Sequence, residues 1–294
     1  MRLAIVGYGN LGKSLEKTII HNDNIQLTAI YSRRTLDNKM YRPLQSITQH
    51  VDFDVVLNAL GSYDDARQYA PLLAKFDTVD SFDTHASIAE YKEQLNKLNG
   101  DRIAIVGAGW DPGILSLIRG TFSLGNTPVT VWGNGISQGH SNAVRNIDGV
   151  IDAVQFTVPK NNYKTIIQNG EHNSANLHDR LCYVACVEED KDNVKRQIKD
   201  MPNYFVDYNT TVKFVTPAEV RQLKQDTSHC GQVFCSGNGY VASACLKLDC
   251  NTDLTAQVML MYAQAVAKLK QYNYHGALDV FDIPLKYIAG SNLV

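Results

Sequence analysis

The sequence lacks the features that mark membrane, secreted and nucleic-acid-binding proteins. No apolar run approaches the roughly 18 residues that a membrane helix needs. The 28 Lys and Arg nearly balance the 30 Asp and Glu, and the net charge of −2 argues against nucleic-acid or membrane-surface partners. There is no internal repeat, low-complexity stretch or evident linker. With 294 residues, 44% of them hydrophobic, the chain is expected to form roughly two globular domains.

Cysteine is absent from the first part of the chain, and there is no C-x-x-C pair. The six cysteines are Cys182, Cys186, Cys230, Cys235, Cys245 and Cys250. A zinc site built from some of them with His178 or His229 is one interpretation. Because Cys182 and Cys186 fall in an apolar, strand-like run, we favour reduced, buried side chains, as in a cytosolic protein. We therefore predict no metal.

The N-terminal segment carries the strongest motif. Residues 3–6 are an apolar run typical of a buried strand, and residues 13–20 have a helical pattern. Between them, Gly7, Gly9 and Gly12 give G-x-G-x-x-G. In a Rossmann turn these glycines allow the tight turn, the approach of a pyrophosphate and the packing of helix on strand. Glycine-rich loops are often only turns, but this context predicts dinucleotide binding. A cofactor strand at the N-terminus also argues against a cleaved signal peptide and for a cytoplasmic location.

The end of the second strand, predicted at residues 26–31, indicates which dinucleotide is bound. An NAD enzyme usually carries Asp or Glu there, about 20 residues after the glycines, for the ribose 2′-hydroxyl. This chain has Ser32, Arg33 and Arg34 instead. The two guanidiniums could be solvated loop charges, but at this position they can clamp a 2′-phosphate. The sequence therefore favours NADP over NAD.

Strands and helices continue to alternate. Further strands are predicted at 54–60, 78–82 and 102–106, and helices at 64–76, 88–98 and 114–122. This alternation predicts an α/β fold with a Rossmann doubly wound parallel sheet, whose ligands bind beyond the carboxyl ends of the strands. Asp83 and Asp111 fall at such ends. Asp83 could be a turn residue, and Asp111 could be an N-cap before Pro112. Alternatively, two carboxylates facing a nicotinamide would suit a substrate with an ammonium group.

The pattern then changes. Segments rich in Val, Thr, Phe and Tyr lie at 150–159, 181–187, 210–215 and 232–248, with one helix near 192–200. They predict a largely antiparallel sheet with one helical layer, which is a second domain of α+β type. A helix at 255–269 is expected to return to the first domain. We predict a dinucleotide-binding domain at 1–113, completed by 251–294, and a second domain at 114–250.

Six short stretches are considered together, and two of them, GWDPG and WGNGISQGHS, are more specific than a nucleotide-binding fold requires. They are GYGNLG at 7–12, SRR at 32–34, GWDPG at 109–113, WGNGISQGHS at 132–141, MPNYF at 201–205 and KLD at 247–249. Together they resemble the NADP-dependent meso-diaminopimelate D-dehydrogenase family, and the resemblance runs through the whole chain. It implies oxidative deamination of the D-centre of meso-2,6-diaminopimelate to L-2-amino-6-oxopimelate and ammonia, in lysine biosynthesis. It also implies that the second domain binds substrate and forms a homodimer.

The resemblance also implies which residues form the site. The cofactor would be lined by Gly7, Tyr8, Gly9, Asn10, Leu11, Gly12, Arg33, Arg34, Ala59, Leu60, Gly61, Ser62, Ala108, Gly109, Trp110 and Pro112. Asp83 and Asp111 would hold the amine of the D-centre, and a nearby carboxylate or water would take its proton. The D-end would be bordered by Trp132, Gln138 and Gly139, and the distal L-end bound by Thr157, Arg180, His229 and Asn251.

Two other interpretations compete with this one. A different NADP oxidoreductase of the aspartate–lysine pathway, such as a homoserine dehydrogenase or dihydrodipicolinate reductase, would share the nucleotide fold but should lack GWDPG and SQGHS. A catalytically silent NADPH-binding sensor would be expected to lose Asp83, Asp111 or Arg180, and all three are present.

Overall fold

The structure, a computed structural model, describes residues 1–61, 64–123, 126–170, 172–226, 228–237 and 239–288. The strands are β1 (Arg2–Val6), β2 (Gln26–Ser32), β3 (Tyr41–Pro43), β4 (Val55–Asn58), β5 (Thr78–Asp80), β6 (Ile103–Val106), β7 (Val129–Trp132), β8 (Gly135–Ile136), β9 (Val150–Pro159), β10 (His178–Cys186), β11 (Asn209–Phe214), β12 (His229–Gly237), β13 (Tyr240–Leu248) and β14 (Gly276–Asp279). The α-helices are α1 (Asn10–Ile20), α2 (Asp64–Leu73), α3 (Ile88–Leu98), α4 (Ile114–Phe122), α5 (Gln138–Arg145), α6 (Tyr163–Gln168), α7 (Ser174–Leu177), α8 (Lys191–Asp200), α9 (Pro217–Leu223), α10 (Asn251–Gln271) and α11 (Leu285–Ile288). The chain divides into two units, Met1–Leu117 with Thr252–Val294, and Ile118–Asn251.

The first unit is built on a seven-stranded sheet with the strand order β14-β6-β5-β4-β1-β2-β3. Its strand pairs are parallel. Leu3, Ala4, Ile5 and Val6 of β1 are 0% exposed, as expected for a central strand covered on both faces. Leu15 and Ile19 of α1 belong to the core cluster on one face. The predicted doubly wound α/β class is therefore confirmed, and the carboxyl ends of its parallel strands meet at one edge.

The second unit contains two sheets. One has the order β11-β10-β9-β8, and the other has the order β13-β12-β7. Helices α5 and α8 supply Val144, Val194 and Ile198 to a core that also contains Cys182 and Val184. Cys182 is 0% exposed, and burial raises the pKa of its thiol to about 12, so it behaves as a small apolar side chain. The predicted α+β class of this unit is confirmed.

Two details of the predicted second unit are wrong. The strands form two sheets rather than one, and β10 and β11 are parallel within the otherwise antiparallel first sheet. The segment 232–248 is not one run, because the chain reverses beside Gly239, which has a φ of 84°, and pairs β12 with β13 antiparallel. A positive φ is easily adopted by glycine alone, so the reversal occurs there. Among the residues that the structure covers, no helix is both long and apolar enough to cross a membrane.

Candidate active site

Each of the three glycines in the first loop has a different structural role. A Cβ at Gly7, where φ is 93°, would lie 2.7 Å from the carbonyl oxygen of Ala59. A Cβ at Gly12 would lie 2.3 Å from the carbonyl oxygen of Gly7, whereas a Cβ at Gly9 would meet nothing within 4 Å. Gly7 and Gly12 therefore permit the turn and the packing of helix on strand, and Gly9 leaves open space for a ligand to approach the backbone. Helix α1 begins at Asn10 rather than at the predicted Lys13, so the free amides of Asn10 and Leu11 belong to its first turn.

The loop opens into a cavity of about 310 Å³ in the first unit. It is lined by Gly7, Tyr8, Gly9, Ser32, Arg33, Arg34, Ala59, Leu60, Gly61 and Asp65. Arg33 and Arg34 therefore lie beside the glycine loop, as predicted by their position at the end of β2. Ser62 lies outside the described residues. The concave backbone, the open space at Gly9 and two guanidiniums fit a dinucleotide that carries an additional phosphate.

One member of the cavity, Asp65, was not predicted from the sequence. Its two carboxylate oxygens accept hydrogen bonds from Nη1 and Nη2 of Arg33 at 2.8 and 2.6 Å. Arg33 also lies over the ring of Tyr69, with 5.7 Å from Cζ to the ring centroid. Arg34 donates from Nη2 to the carbonyl oxygen of Tyr8 at 3.2 Å. Of the two arginines, Arg33 is therefore the one that already forms an ion pair with a carboxylate.

The two candidate aspartates follow neighbouring strands of the sheet. Asp83 is exposed in the segment after β5, and Asp111 follows β6, with a side chain that is 2% exposed. Nε2 of His85 lies 3.9 Å from Oδ1 of Asp111, so His85 connects the segments after β5 and β6. The sequence analysis missed His85 because nothing in its own neighbourhood distinguishes it from a loop histidine.

The interpretation of Asp111 as an N-cap is wrong. Helix α4 begins at Ile114, and the amides of Ile114 and Leu115 donate to the carbonyl oxygens of Gly109 and Trp110 at 3.1 and 2.9 Å. Backbone carbonyls therefore accept the amides of these two residues, and Asp111 and Pro112 belong to the loop before the helix. Ala108, Gly109 and Trp110 belong to the same buried loop, where the amide of Ala108 donates to the carbonyl oxygen of Asp80 at 2.9 Å.

A buried carboxylate joins the segments after β4 and β5. Oδ2 of Asp80 accepts hydrogen bonds from Nδ2 of Asn58 at 2.7 Å and from the hydroxyl of Tyr91 at 2.8 Å. Oδ1 accepts from the amide of Phe82 at 2.8 Å, and Oδ1 of Asn58 accepts from the amide of Leu60 at 3.2 Å. Burial raises the pKa of Asp80 to about 6 despite these donors. The network fixes both the Ala59–Gly61 segment and the start of the segment that carries Asp83.

In the second unit, the predicted residues of the D-end lie on β7 and α5. The amide of Trp132 donates to Nε2 of His178 at 2.9 Å. Gln138 and Gly139 are exposed at the start of α5, and a Cβ at Gly139 would meet nothing within 4 Å. The first-turn amides of this helix have no acceptor within the helix itself, which is the property that anion binding uses.

Three of the four predicted distal residues come together. Arg180 lies opposite Thr157 in the β9–β10 register and donates from Nη1 to Oγ1 of Thr157 at 2.6 Å. Thr157 in turn lies opposite Gly135, and a Cβ at Gly135 would lie 2.4 Å from Cδ2 of His229. His229 accepts the amide of Cys230 on Nδ1 at 2.9 Å, which leaves Nε2 to carry the proton of the neutral ring. Asn251 begins α10, and its role stays a prediction.

Arg180 is a buried charge with no counter-ion among the residues that the structure describes. Its residue exposure is 7%, and among the described residues no carboxylate pairs with it and its Nε has no hydrogen-bond partner. Burial lowers the pKa of Arg180, yet a guanidinium stays charged at neutral pH. A buried charge is costly unless it is paired, so this arrangement suits an anionic ligand such as a carboxylate.

Nothing among the described residues forms a metal centre. No three His, Cys, Asp or Glu side chains come together as ligands there, and the six cysteines are free. Buried histidines serve structural hydrogen bonds instead. Nδ1 of His140 lies 2.7 Å from Oγ of Ser137, and burial lowers the pKa of His140 to about 3.

Comparison with known proteins gives a consistent result. Residues 109–253 match the family model described as the diaminopimelic acid dehydrogenase C-terminal domain. A meso-diaminopimelate D-dehydrogenase from Ureibacillus thermosphaericus is 38% identical over 97% of this chain and 94% of its own length. The structure of C. glutamicum DAP dehydrogenase in complex with DAP superposes with a TM-score of 0.93 at 34% identity, covering 100% of this chain and 97% of that one. An engineered D-amino acid dehydrogenase bound to NADP⁺ has a TM-score of 0.88 at 33% identity, with coverage of 100% and 97%.

The parallel sheet with its glycine loop, the strand-end aspartates and the second α+β unit define a Rossmann-type oxidoreductase. Within that class, the chain belongs to the meso-diaminopimelate D-dehydrogenase family, as the sequence motifs indicated. This family membership excludes the alternative of another NADP oxidoreductase of the aspartate–lysine pathway.

Proposed function

We propose that the protein catalyses the NADP-dependent, reversible oxidative deamination of the D-centre of meso-2,6-diaminopimelate to L-2-amino-6-oxopimelate and ammonia, in lysine biosynthesis. The observation that carries this proposal is the buried guanidinium of Arg180 beside Thr157 and His229, with which no carboxylate of the described residues pairs. Such a site suits the second carboxylate of a substrate with two amino-acid ends. The names of the relatives and the DAP complex of a structural neighbour support the same substrate.

NADP is the proposed cofactor. The dinucleotide would lie on the amides of the Gly7–Gly12 loop, with Arg33 and Arg34 toward its 2′-phosphate. Ala59, Leu60 and Gly61, with Ala108 to Trp110 and Pro112, are proposed to contribute the remaining contacts. With the cofactor held by these residues, its nicotinamide would supply the redox chemistry of hydride transfer. An NADP⁺ complex of a neighbour at 33% identity supports this choice.

The chain's own residues are proposed to bind the substrate and manage its protons. Asp83 and Asp111 hold the ammonium of the D-centre, and because the oxidation needs a neutral amine, a carboxylate or water there takes a proton. The amides of Gln138 and Gly139 bind the carboxylate of the D-end, which Trp132 borders. At the distal end, Arg180, Thr157, His229 and Asn251 hold the L-amino-acid group, so that only the D-centre is presented for oxidation.

The remaining proposals concern organisation. We assign nucleotide binding to the first unit, and substrate binding and dimerisation to the second. A homodimer follows from the family resemblance, and light scattering tests it, because a dimer of 32.7 kDa chains has twice the monomer mass. A cytoplasmic location is proposed on the six free cysteines, which suit a reducing compartment.

A spectrophotometric assay tests the function directly. With NADP⁺ and the separated stereoisomers of diaminopimelate, NADPH should form with the meso isomer and not with the L,L isomer. Binding of NADPH without turnover of any isomer would instead favour the silent sensor. Turnover of the L,L isomer at an equal rate would contradict the assignment of the D-centre.

A further inference from the structure

The charge of Arg180 rests on an aromatic ring as well as on Thr157. Tyr208, just before β11, places its ring under the guanidinium, with 4.0 Å between Cζ of Arg180 and the ring centroid. A guanidinium at this distance is attracted by the ring quadrupole, and the attraction grows when the pair is desolvated. Arg180 is 7% exposed and has no carboxylate partner among the described residues, so its charge is supported by the ring of Tyr208 and the hydroxyl of Thr157.

The hydroxyl of Tyr208 continues into a hydrogen-bonded path. It donates to Oγ of Ser174 at 3.0 Å, and Oγ of Ser174 lies 3.2 Å from Nδ1 of His178. The same Nδ1 lies 2.8 Å from the carbonyl oxygen of Ser174, while Nε2 of His178 accepts the amide of Trp132. The path therefore runs within the second unit from Arg180, through Tyr208, Ser174 and His178, to the backbone of Trp132.

The protonation state of His178 fixes which of its ring nitrogens donates and which accepts along this path. An amide can only donate, so Nε2 of His178 is unprotonated and Nδ1 carries the proton toward Ser174. Burial lowers the pKa of His178 to about 4, which keeps the ring neutral at physiological pH.

We propose that Tyr208 is a positioning residue that holds the guanidinium of Arg180 in place for the distal carboxylate of the substrate. Its ring fixes the guanidinium that takes the distal carboxylate, and its hydroxyl ties that guanidinium to the residue bordering the D-end. The substrate class selected is an amino acid that carries a second carboxylate at its far end. This inference rests on the proposed function.

The first test separates ring from hydroxyl. Tyr208→Leu should raise the KM for meso-diaminopimelate about tenfold, in the range of a desolvated cation–π contact, with kcat changed less than about twofold because the contact is remote from the chemistry. Tyr208→Phe keeps the ring and should give a clearly smaller rise. Tyr183→Leu is the matched control, because that tyrosine also lies on this sheet under a cation, Lys213, 5.5 Å from its ring centroid. Its KM should equal that of the wild type.

The second test is a double-substitution cycle. If Tyr208 acts through Arg180, Tyr208→Leu should have little further effect on KM in an Arg180→Met background. An equal factor in both backgrounds, an unchanged KM in Tyr208→Leu, or an equal rise in Tyr183→Leu would overturn the inference.

If the wild type does not oxidise meso-diaminopimelate at all, the proposed function fails separately. The stabilisation of the protein by pimelate, a dicarboxylate without amines, then tests Tyr208, and it should be lost in Tyr208→Leu but kept in Tyr183→Leu. Equal stabilisation of both variants, or none in the wild type, would overturn it.

Discussion

Arg33 and Asp65 form a bidentate ion pair inside the nucleotide cavity, with nitrogen–oxygen distances of 2.8 and 2.6 Å. Their side chains are 47% and 23% exposed, so the pair is partly solvated. Ion pairs in such surroundings typically contribute about 0–1 kcal/mol. A dianionic phosphate held by two guanidiniums can therefore compete with Asp65 for Arg33, and the pair does not exclude NADP from the cavity.

The arginines should decide cofactor preference. Replacing both Arg33 and Arg34 by Gln removes the charged donors proposed for the 2′-phosphate, which NAD lacks. Losing a charged hydrogen bond typically costs about 1.5–3 kcal/mol, so NADP should bind roughly ten- to a hundredfold more weakly, with NAD nearly unaffected. Fluorescence titration with each reduced cofactor measures this. Arg2→Gln is the control, because it breaks the Arg2–Asp54 ion pair at the opposite end of β1. Equal losses for both cofactors would show that the assignment is wrong.

The strand-end aspartates should affect turnover rather than cofactor binding. Asp111→Asn or Asp83→Asn removes a charge proposed to hold the ammonium and should lower kcat strongly while the affinity for NADP stays near that of the wild type. Asn caps a helix as well as Asp does, and backbone carbonyls accept the amides of Ile114 and Leu115, so the melting temperature of Asp111→Asn should change little. The matched control is Asp52→Asn, because Asp52 forms an ion pair with Arg42 at the surface. Full activity of Asp111→Asn would end its proposed role.

Asp80 should make the stability of the first unit depend on pH. Burial raises the pKa of Asp80 from 3.8 to about 6, so between these values the folded state binds more protons than the unfolded state. The stability that this group contributes is therefore present at low pH and falls as the pH rises from about 4 to 6, by about 3 kcal/mol at most.

Urea unfolding of the wild type and of Asp80→Asn between pH 4 and 7 measures this effect. The difference in unfolding free energy between the two proteins should shift in favour of Asp80→Asn as the pH rises. Asp23→Asn, at an exposed position of the same unit, should show no such shift relative to the wild type. Parallel pH profiles of the wild type and Asp80→Asn would contradict the raised pKa.

Local signals predicted the parts of the fold that depend on local sequence. The glycine loop, helices α3 and α4, and strand β9 follow from periodicity and turn residues, and α3, α4 and β9 have the predicted bounds. Strands β3 and β14, at the two edges of the parallel sheet, were not predicted from the sequence. They form because the edges of the parallel sheet offer unpaired backbone groups, which is a property of the fold rather than of the segments.

The same limit applies to the candidate site. The position of Arg33 at the end of β2 was readable from spacing, but its pairing with Asp65 joins residues 32 positions apart. Two side-chain donors to Asp80, Asn58 and Tyr91, come from β4 and α3. The ring under Arg180 belongs to Tyr208, which lies 28 residues later in the chain. Such contacts are created by packing, so the sequence could indicate the residues that face a ligand but not those that hold them.

The last prediction concerns stereochemical choice. Meso-diaminopimelate has one D- and one L-centre, so an enzyme that oxidises only the D-centre must recognise the far end, or the molecule could bind reversed. Arg180 is proposed to do this by uniform binding remote from the chemistry. Arg180→Met should therefore sharply lower kcat/KM for meso-diaminopimelate. The kcat/KM for D-norleucine should stay the same or rise. Its apolar tail has no distal carboxylate, so in the wild type it leaves the guanidinium of Arg180 unpaired.

The ratio of the two kcat/KM values separates recognition from folding, because a general folding defect would lower both together. Arg180 makes its hydrogen bond to Thr157 and its ring contact to Tyr208 within the second unit, so some loss of stability is expected in the variant. That loss cancels in the ratio when both substrates are measured on one preparation. If Arg180→Met lowers activity on diaminopimelate and on D-norleucine by the same factor, Arg180 is a structural charge on a strand and the distal carboxylate is bound elsewhere.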